Sequence, residues 1–164
     1  MRIAAFSRPA ASPARKVPLA PVGIAIAIWL LTAAVGCARV QPPAGPAIQI
    51  TSPQDGAAIA AGATTIEVLV SDFALADKLG QANFPGQGHI HYFLDVPAPT
   101  VQGQPAFPPA GSTWADTADA SCMFNNILVG SHTITVELVN NDHTPLNPPA
   151  TKTVTVTASP GGIP

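Results

Sequence analysis

The stretch HIHYFLDV, residues 89–96, decides the fold, because its side chains change character with a period of two. Ile90, Tyr92, Leu94 and Val96 fall on one side; His89, His91, Phe93 and Asp95 fall on the other. Successive side chains of a β-strand point to opposite faces, so this pattern predicts a strand. The same alternation recurs on both sides of it. AIQIT (47–51) sets Ile48 and Ile50 apart, and TTIEVLV (64–70) sets Ile66, Val68 and Val70 against Glu67 and Leu69. HTITVELV (132–139) sets Ile134, Val136 and Leu138 against Thr133, Thr135 and Glu137. TKTVTVTA (151–158) sets Val154 and Val156 against threonines, and SCMFNNI (121–127) is a weaker strand. β-Branched residues dominate these runs and Gly, Pro, Asn and Asp clusters separate them. DFALADKLG (72–80) interrupts the pattern as a short helix, one turn or a bulging loop.

Residues 47–158 are therefore expected to form one all-β sandwich, of a length suited to a single domain. The strand order resembles secreted immunoglobulin-like modules of bacteria, carried by ITSPQDGAAIAAG, NNILVGSHTITVELVNND and TKTVTVT. That resemblance implies a Greek-key sandwich in which strands 89–96 and 132–140 are antiparallel neighbours. The set GHxH (88–91), G-x-HT (130–133) and DH-x-P (142–145) is also similar to an uncharacterised family of small secreted prokaryotic domains, which implies no activity.

The N-terminal part reads as an address. Residues 1–16 hold Arg2, Arg8, Arg15 and Lys16 and no acid, and residues 17–36 are uncharged and mostly apolar. This is a secretory signal pattern. TAAVGC, ending at Cys37, resembles the lipobox of bacterial lipoproteins, with Ala34 where that motif usually has Leu. The resemblance implies cleavage of 1–36, lipidation of Cys37 and a lipid-anchored, extracytoplasmic domain. By the same resemblance, Ala38 and Arg39, which lack the Asp that retains many such lipoproteins at the inner membrane, imply the outer membrane or its periplasmic face. An uncleaved anchor and a simply secreted chain are the alternatives. Residues 37–46, rich in Pro and Ala, form a tether, and 159–164 a flexible tail.

After Cys37 only Arg39, Lys78 and Lys152 face nine carboxylates. This balance excludes nucleic acid as a partner and suits a cation. The expected partners are the membrane, through the lipid, and a protein or envelope polymer. Cys122 is alone once Cys37 is acylated, so no disulfide is expected. It is expected to be a small buried residue.

The chain has four histidines. His89 and His91 project to one face, about 6.5–7 Å apart along the strand. If strands 89–96 and 132–140 are antiparallel neighbours, His143 falls at the same end, beside Asp142. Three imidazoles and a carboxylate or water suit copper, zinc, nickel or iron. The alternative is a solvated or loop-covered face that merely carries imidazoles. His132 belongs to the opposite end, about 25 Å away along its strand, as a strand-end residue bonded to a turn. Asp95 reads as a strand-end charge. Asp116 and Asp119, in STWADTADA, read as surface charges in a loop. The proline-rich loop 97–111 reads as a stiff rim, with Phe107 and Trp114 as packing anchors or, alternatively, as part of a partner-facing patch.

The leading functional expectation is a non-catalytic binding domain with a copper or zinc site at His89, His91, His143 and Asp142. A structural or adhesive spacer is the alternative, and a copper redox enzyme comes third. Cu,Zn superoxide dismutase, also a sandwich with an HxH pair, requires more histidines than this chain has. No nucleophile-elbow pattern supports a hydrolase.

Overall fold

The computed structural model describes residues 45–161. The expected signal segment 1–36, Cys37 and all but the end of the expected tether lie outside them. Nine strands follow in order: β1 (Ala47–Ser52), β2 (Ala58–Ala60), β3 (Gly62–Ser71), β4 (Ala74–Leu75), β5 (Gln87–Leu94), β6 (Thr113–Thr117), β7 (Ser121–Ile127), β8 (Gly130–Asn140) and β9 (Pro145–Ser159). They form two sheets. One has the order β1-β3-β7; the other runs β2-β9-β8-β5-β4, with β6 also pairing β5. This is an all-β, immunoglobulin-like Greek-key sandwich.

The alternation explains the core. Ile48, Ile50, Ile66, Val68, Phe124 and Ile127 from the small sheet meet the inner residues of the large sheet. These are Ile90, Tyr92 and Leu94 of β5, Ile134, Val136 and Leu138 of β8, and Val154, Val156 and Ala158 of β9. Each such large side chain removed from water contributes about 1.5–3 kcal/mol. Cys122 pairs opposite Ile66 in the small sheet and packs half-buried against this core.

β5 departs from the half-buried pattern. Every residue from Gly88 to Leu94 is buried, the polar-face residues His89, His91 and Phe93 included. Loop 97–111 covers that outer face and buries Ala106 completely. The face is therefore covered rather than solvated.

The register fixes the rest. β5 and β8 are antiparallel, with Gly88 opposite Asn140, His89 opposite Val139 and His91 opposite Glu137. On the other flank β6 is antiparallel to β5, with His91 opposite Asp116 and Phe93 opposite Trp114. Asp116 is thus a strand residue, not the loop charge expected from the sequence. Segment 72–80 holds no helix. Ala74 and Leu75 instead pair in parallel with Gln87 and Gly88.

Candidate metal centre

Each histidine reaches the centre by a different local device. His89 and His91 share a face because they are two apart on β5. Gly88 precedes them where the backbones crowd. A Cβ built there would lie 1.9 Å from the Val139 carbonyl oxygen and 2.9 Å from Phe73 Cζ. Only glycine lets β5 approach β8 this closely.

His143 sits in the turn between β8 and β9. Its φ of 66° is in the left-handed region, uncommon for a residue with a side chain. The turn is held by hydrogen bonds. The His143 amide donates to Asn140 O (3.0 Å), and Asn140 Nδ2 donates to Thr144 Oγ1 (3.0 Å). Asp142 Oδ1 accepts from the Thr144 amide (3.0 Å) and hydroxyl (2.6 Å). Loop 97–111 closes the site through one residue: Ala106 N donates to His143 O (2.8 Å), and Ala106 O accepts from His91 Nδ1 (3.0 Å).

Three ring nitrogens form a triangle. His89 Nε2 is 3.2 Å from His91 Nε2 and 3.0 Å from His143 Nδ1, and His91 Nε2 is 3.0 Å from His143 Nδ1. An Asp116 carboxylate oxygen lies 3.8 Å from His143 Nδ1. Ligand atoms of the four residues all fall within 4.8 Å of one another, a group able to hold a metal ion. Nitrogens bonded tetrahedrally to zinc at about 2.0–2.1 Å stand about 3.3 Å apart, close to the observed edges.

Hydrogen bonds cannot satisfy this triangle. Each ring nitrogen facing the centre is either a donor or an acceptor. With three members and two roles, at least one edge must pair like with like. The Ala106 carbonyl requires a proton on His91 Nδ1, so the neutral ring turns a lone pair inward. A central cation other than a proton satisfies three inward lone pairs at once.

Protonation is suppressed. Burial, reinforced by neighbouring His143, lowers His89 from 6.5 to about 4, against the opposing charges of Asp116 and Asp142. Burial, then His89 and His143, lowers His91 to about 3, opposed by the Ala106 carbonyl. Phe107 stacks on His91 with ring centroids 6.1 Å apart and an interplanar angle of 14°, and lies 4.8 Å from the His143 ring. Trp114 approaches His91 edge-on at 5.3 Å. Both aromatic side chains therefore pack against the histidines, although Phe107 remains 48% exposed.

The structure brings together His89, His91 and His143. It does not add Asp142 to them. That carboxylate is engaged by Thr144, so Asp142 shapes the turn and acts on His89 only through its charge. Asp116 takes the carboxylate position. Sequence reading missed it, although Trp114 and Asp116 alternate with Thr113, Ala115 and Thr117 in the strand period.

His132 lies elsewhere. Its Nδ1 donates to Asp95 Oδ2 (2.7 Å) and its Nε2 to Leu128 O (2.8 Å). The bond to Asp95 raises its pKa, as expected for a ring donating from both nitrogens. Asp95 also accepts from the Thr133 amide (2.9 Å), which makes it a strand-end clamp.

No protein-family model matches the chain, and no curated protein matches it. Among solved structures, the chain is similar to an engineered protein, with 19% identity and a TM-score of 0.40 over 72% of this chain and 21% of that one. It is also similar to fibronectin(III)-like modules of CbhA from Clostridium thermocellum, with 14% identity and a TM-score of 0.41 over 73% of this chain and 50% of that one. The chain thus spans about a fifth of the first of these structures and half of the second.

Proposed function

We propose that this domain binds one copper or zinc ion through His89 Nε2, His91 Nε2 and His143 Nδ1, with Asp116 as the fourth ligand. In this reading it is a non-catalytic binding module held at the cell envelope by a lipid on Cys37. The observation that carries the metal reading is the triangle of imidazole nitrogens, two of them from fully buried rings, whose mutual contacts hydrogen bonding cannot satisfy. The donor set of three imidazoles and a carboxylate suits copper or zinc better than calcium or magnesium, which prefer oxygen ligands. The anchoring part of the proposal is supported by the basic–apolar–VGC pattern of residues 1–37.

Titration of the untagged chain with Cu(II) and Zn(II) tests the metal reading. One equivalent per chain is expected. His89→Ala and His143→Ala should each weaken binding by about a hundredfold, while His132→Ala leaves it unchanged. Sub-stoichiometric metal that ignores the first two substitutions would remove the metal function and leave a spacer.

A further inference from the structure

Among the described residues, the buried side-chain nitrogen and oxygen atoms without a hydrogen-bond partner belong to three residues: His89 Nδ1, both carboxylate oxygens of Glu137, and Asn141 Oδ1. Two of these are chemically complementary and share a surface. When His89 Nε2 turns its lone pair to the centre, the ring proton must sit on Nδ1, which makes that atom a donor. Glu137 offers only acceptors when ionised. His89 and Glu137 are both fully buried. They occupy the same face of neighbouring strands, because His89 is opposite Val139 and His91 is opposite Glu137. This diagonal relation separates backbones by about 7–8 Å, within reach of two long side chains.

We propose that Glu137 is the positioning residue of the centre: the two atoms stand unpaired in this structure, and a turn of the buried Glu137 side chain toward β5 lets its carboxylate accept the His89 Nδ1 proton and so hold Nε2 toward the ion. The inference rests on the metal reading above. His91 already has such an acceptor, the Ala106 carbonyl. Glu137 gives His89 the corresponding one, and a carboxylate acceptor also raises the basicity of a ligating imidazole. Asn141 is the weaker partner. Its side-chain nitrogen is already committed to Ala82 O and Gln87 Oε1, and its oxygen is uncharged. The role also explains a carboxylate without a partner on a covered sheet face, where it otherwise only destabilises the fold.

The test uses the full chain and its Glu137→Leu and Glu137→Gln variants, with zinc as the probe. Glu137→Leu removes the desolvation cost of a buried carboxylate but leaves the His89 Nδ1 proton without an acceptor, so its melting curve is recorded alongside to establish that the variant is folded. Its zinc affinity should fall 10–100-fold, while Glu137→Gln, which keeps an acceptor oxygen, should lose less than tenfold. Imidazole nitrogen NMR supplies the second readout. The His89 Nδ1–H resonance should lie well downfield in the parent, with and without zinc, and move upfield in Glu137→Leu. Unchanged affinity and an unmoved resonance in Glu137→Leu would overturn the proposal and point to Asn141. If the parent binds no stoichiometric zinc, the metal reading fails. The metal-free resonance still decides whether Glu137 holds His89.

Discussion

Gly88→Ala is expected to be the most damaging single substitution in the domain. The added Cβ would sit 1.9 Å from the Val139 carbonyl oxygen, a backbone atom that cannot rotate away. Relief requires β5 and β8 to separate, or Phe73 and the β4 segment to leave the surface on which they pack. Overpacking a well-packed core costs about 1–3 kcal/mol, and a backbone clash lies at or above the top of that range. For a domain of this size the loss corresponds to a fall in Tm of about 10–20 °C. Zinc and copper binding should fall with it, because His89 is the next residue. Gly45→Ala is the control. A Cβ there meets nothing within 4 Å, so its Tm should stay within about 2 °C of the parent. Equal melting temperatures for the two variants would show that β5 and β8 do not approach as described.

The metal-free domain should lose stability steeply as pH falls from about 6.5 toward 4. His89 and His91 titrate near 6.5 when unfolded and at about 4 and about 3 when folded, chiefly because burial penalises their charged forms. Across this window the unfolded chain takes up protons that the folded chain refuses, so unfolding gains ground as acid is added. A fall from 6.5 to about 4 corresponds to about 3 kcal/mol for His89 alone, and His91 acts in the same direction. Glu137 opposes them. Burial raises its carboxyl from 4.5 to about 7, so the folded state holds the extra proton between these values. Its contribution to stability is present below pH 4.5 and is lost as pH rises through 7. Two histidines outweigh one glutamate, so the net slope favours neutral pH, and Glu137→Leu should steepen it. Urea midpoints at pH 7, 5.5 and 4 read the effect directly. A midpoint that holds constant or rises toward pH 4 would mean that the imidazoles are hydrated and free to protonate.

Much of this arrangement is legible in the sequence, for physical reasons that also explain the failures. The strands were readable because Ile90, Tyr92 and Leu94, or Ile134, Val136 and Leu138, sit at the period of a pleated sheet with one face in the core. The convergence of His143 on His89 and His91 then follows from antiparallel pairing, since the end of β8 must lie beside the start of β5. Asp116 was hidden because Ser, Ala and Asp have little strand preference. β6 forms through its pairing with β5 and the stacking of Trp114 on Phe93, which override local propensity. Asp142 misled through adjacency. A short acidic side chain before a turn serves its own backbone first, and here it holds Thr144. The stretch 72–80 has the composition of a helix, yet Phe73 packs against Gly88 and Ala74–Leu75 extend the sheet. Glu137 reads as an ordinary outward residue of an alternating strand, because nothing in its own strand shows that the outer face of the sheet is covered there.

X-ray absorption at the metal edge of zinc- or copper-loaded protein examines the coordination sphere itself. Three imidazole nitrogens at about 2.0–2.1 Å and one oxygen are expected, with one imidazole lost in His143→Ala. A shell of oxygens alone, or a sulfur scatterer from Cys122, would contradict the centre described here.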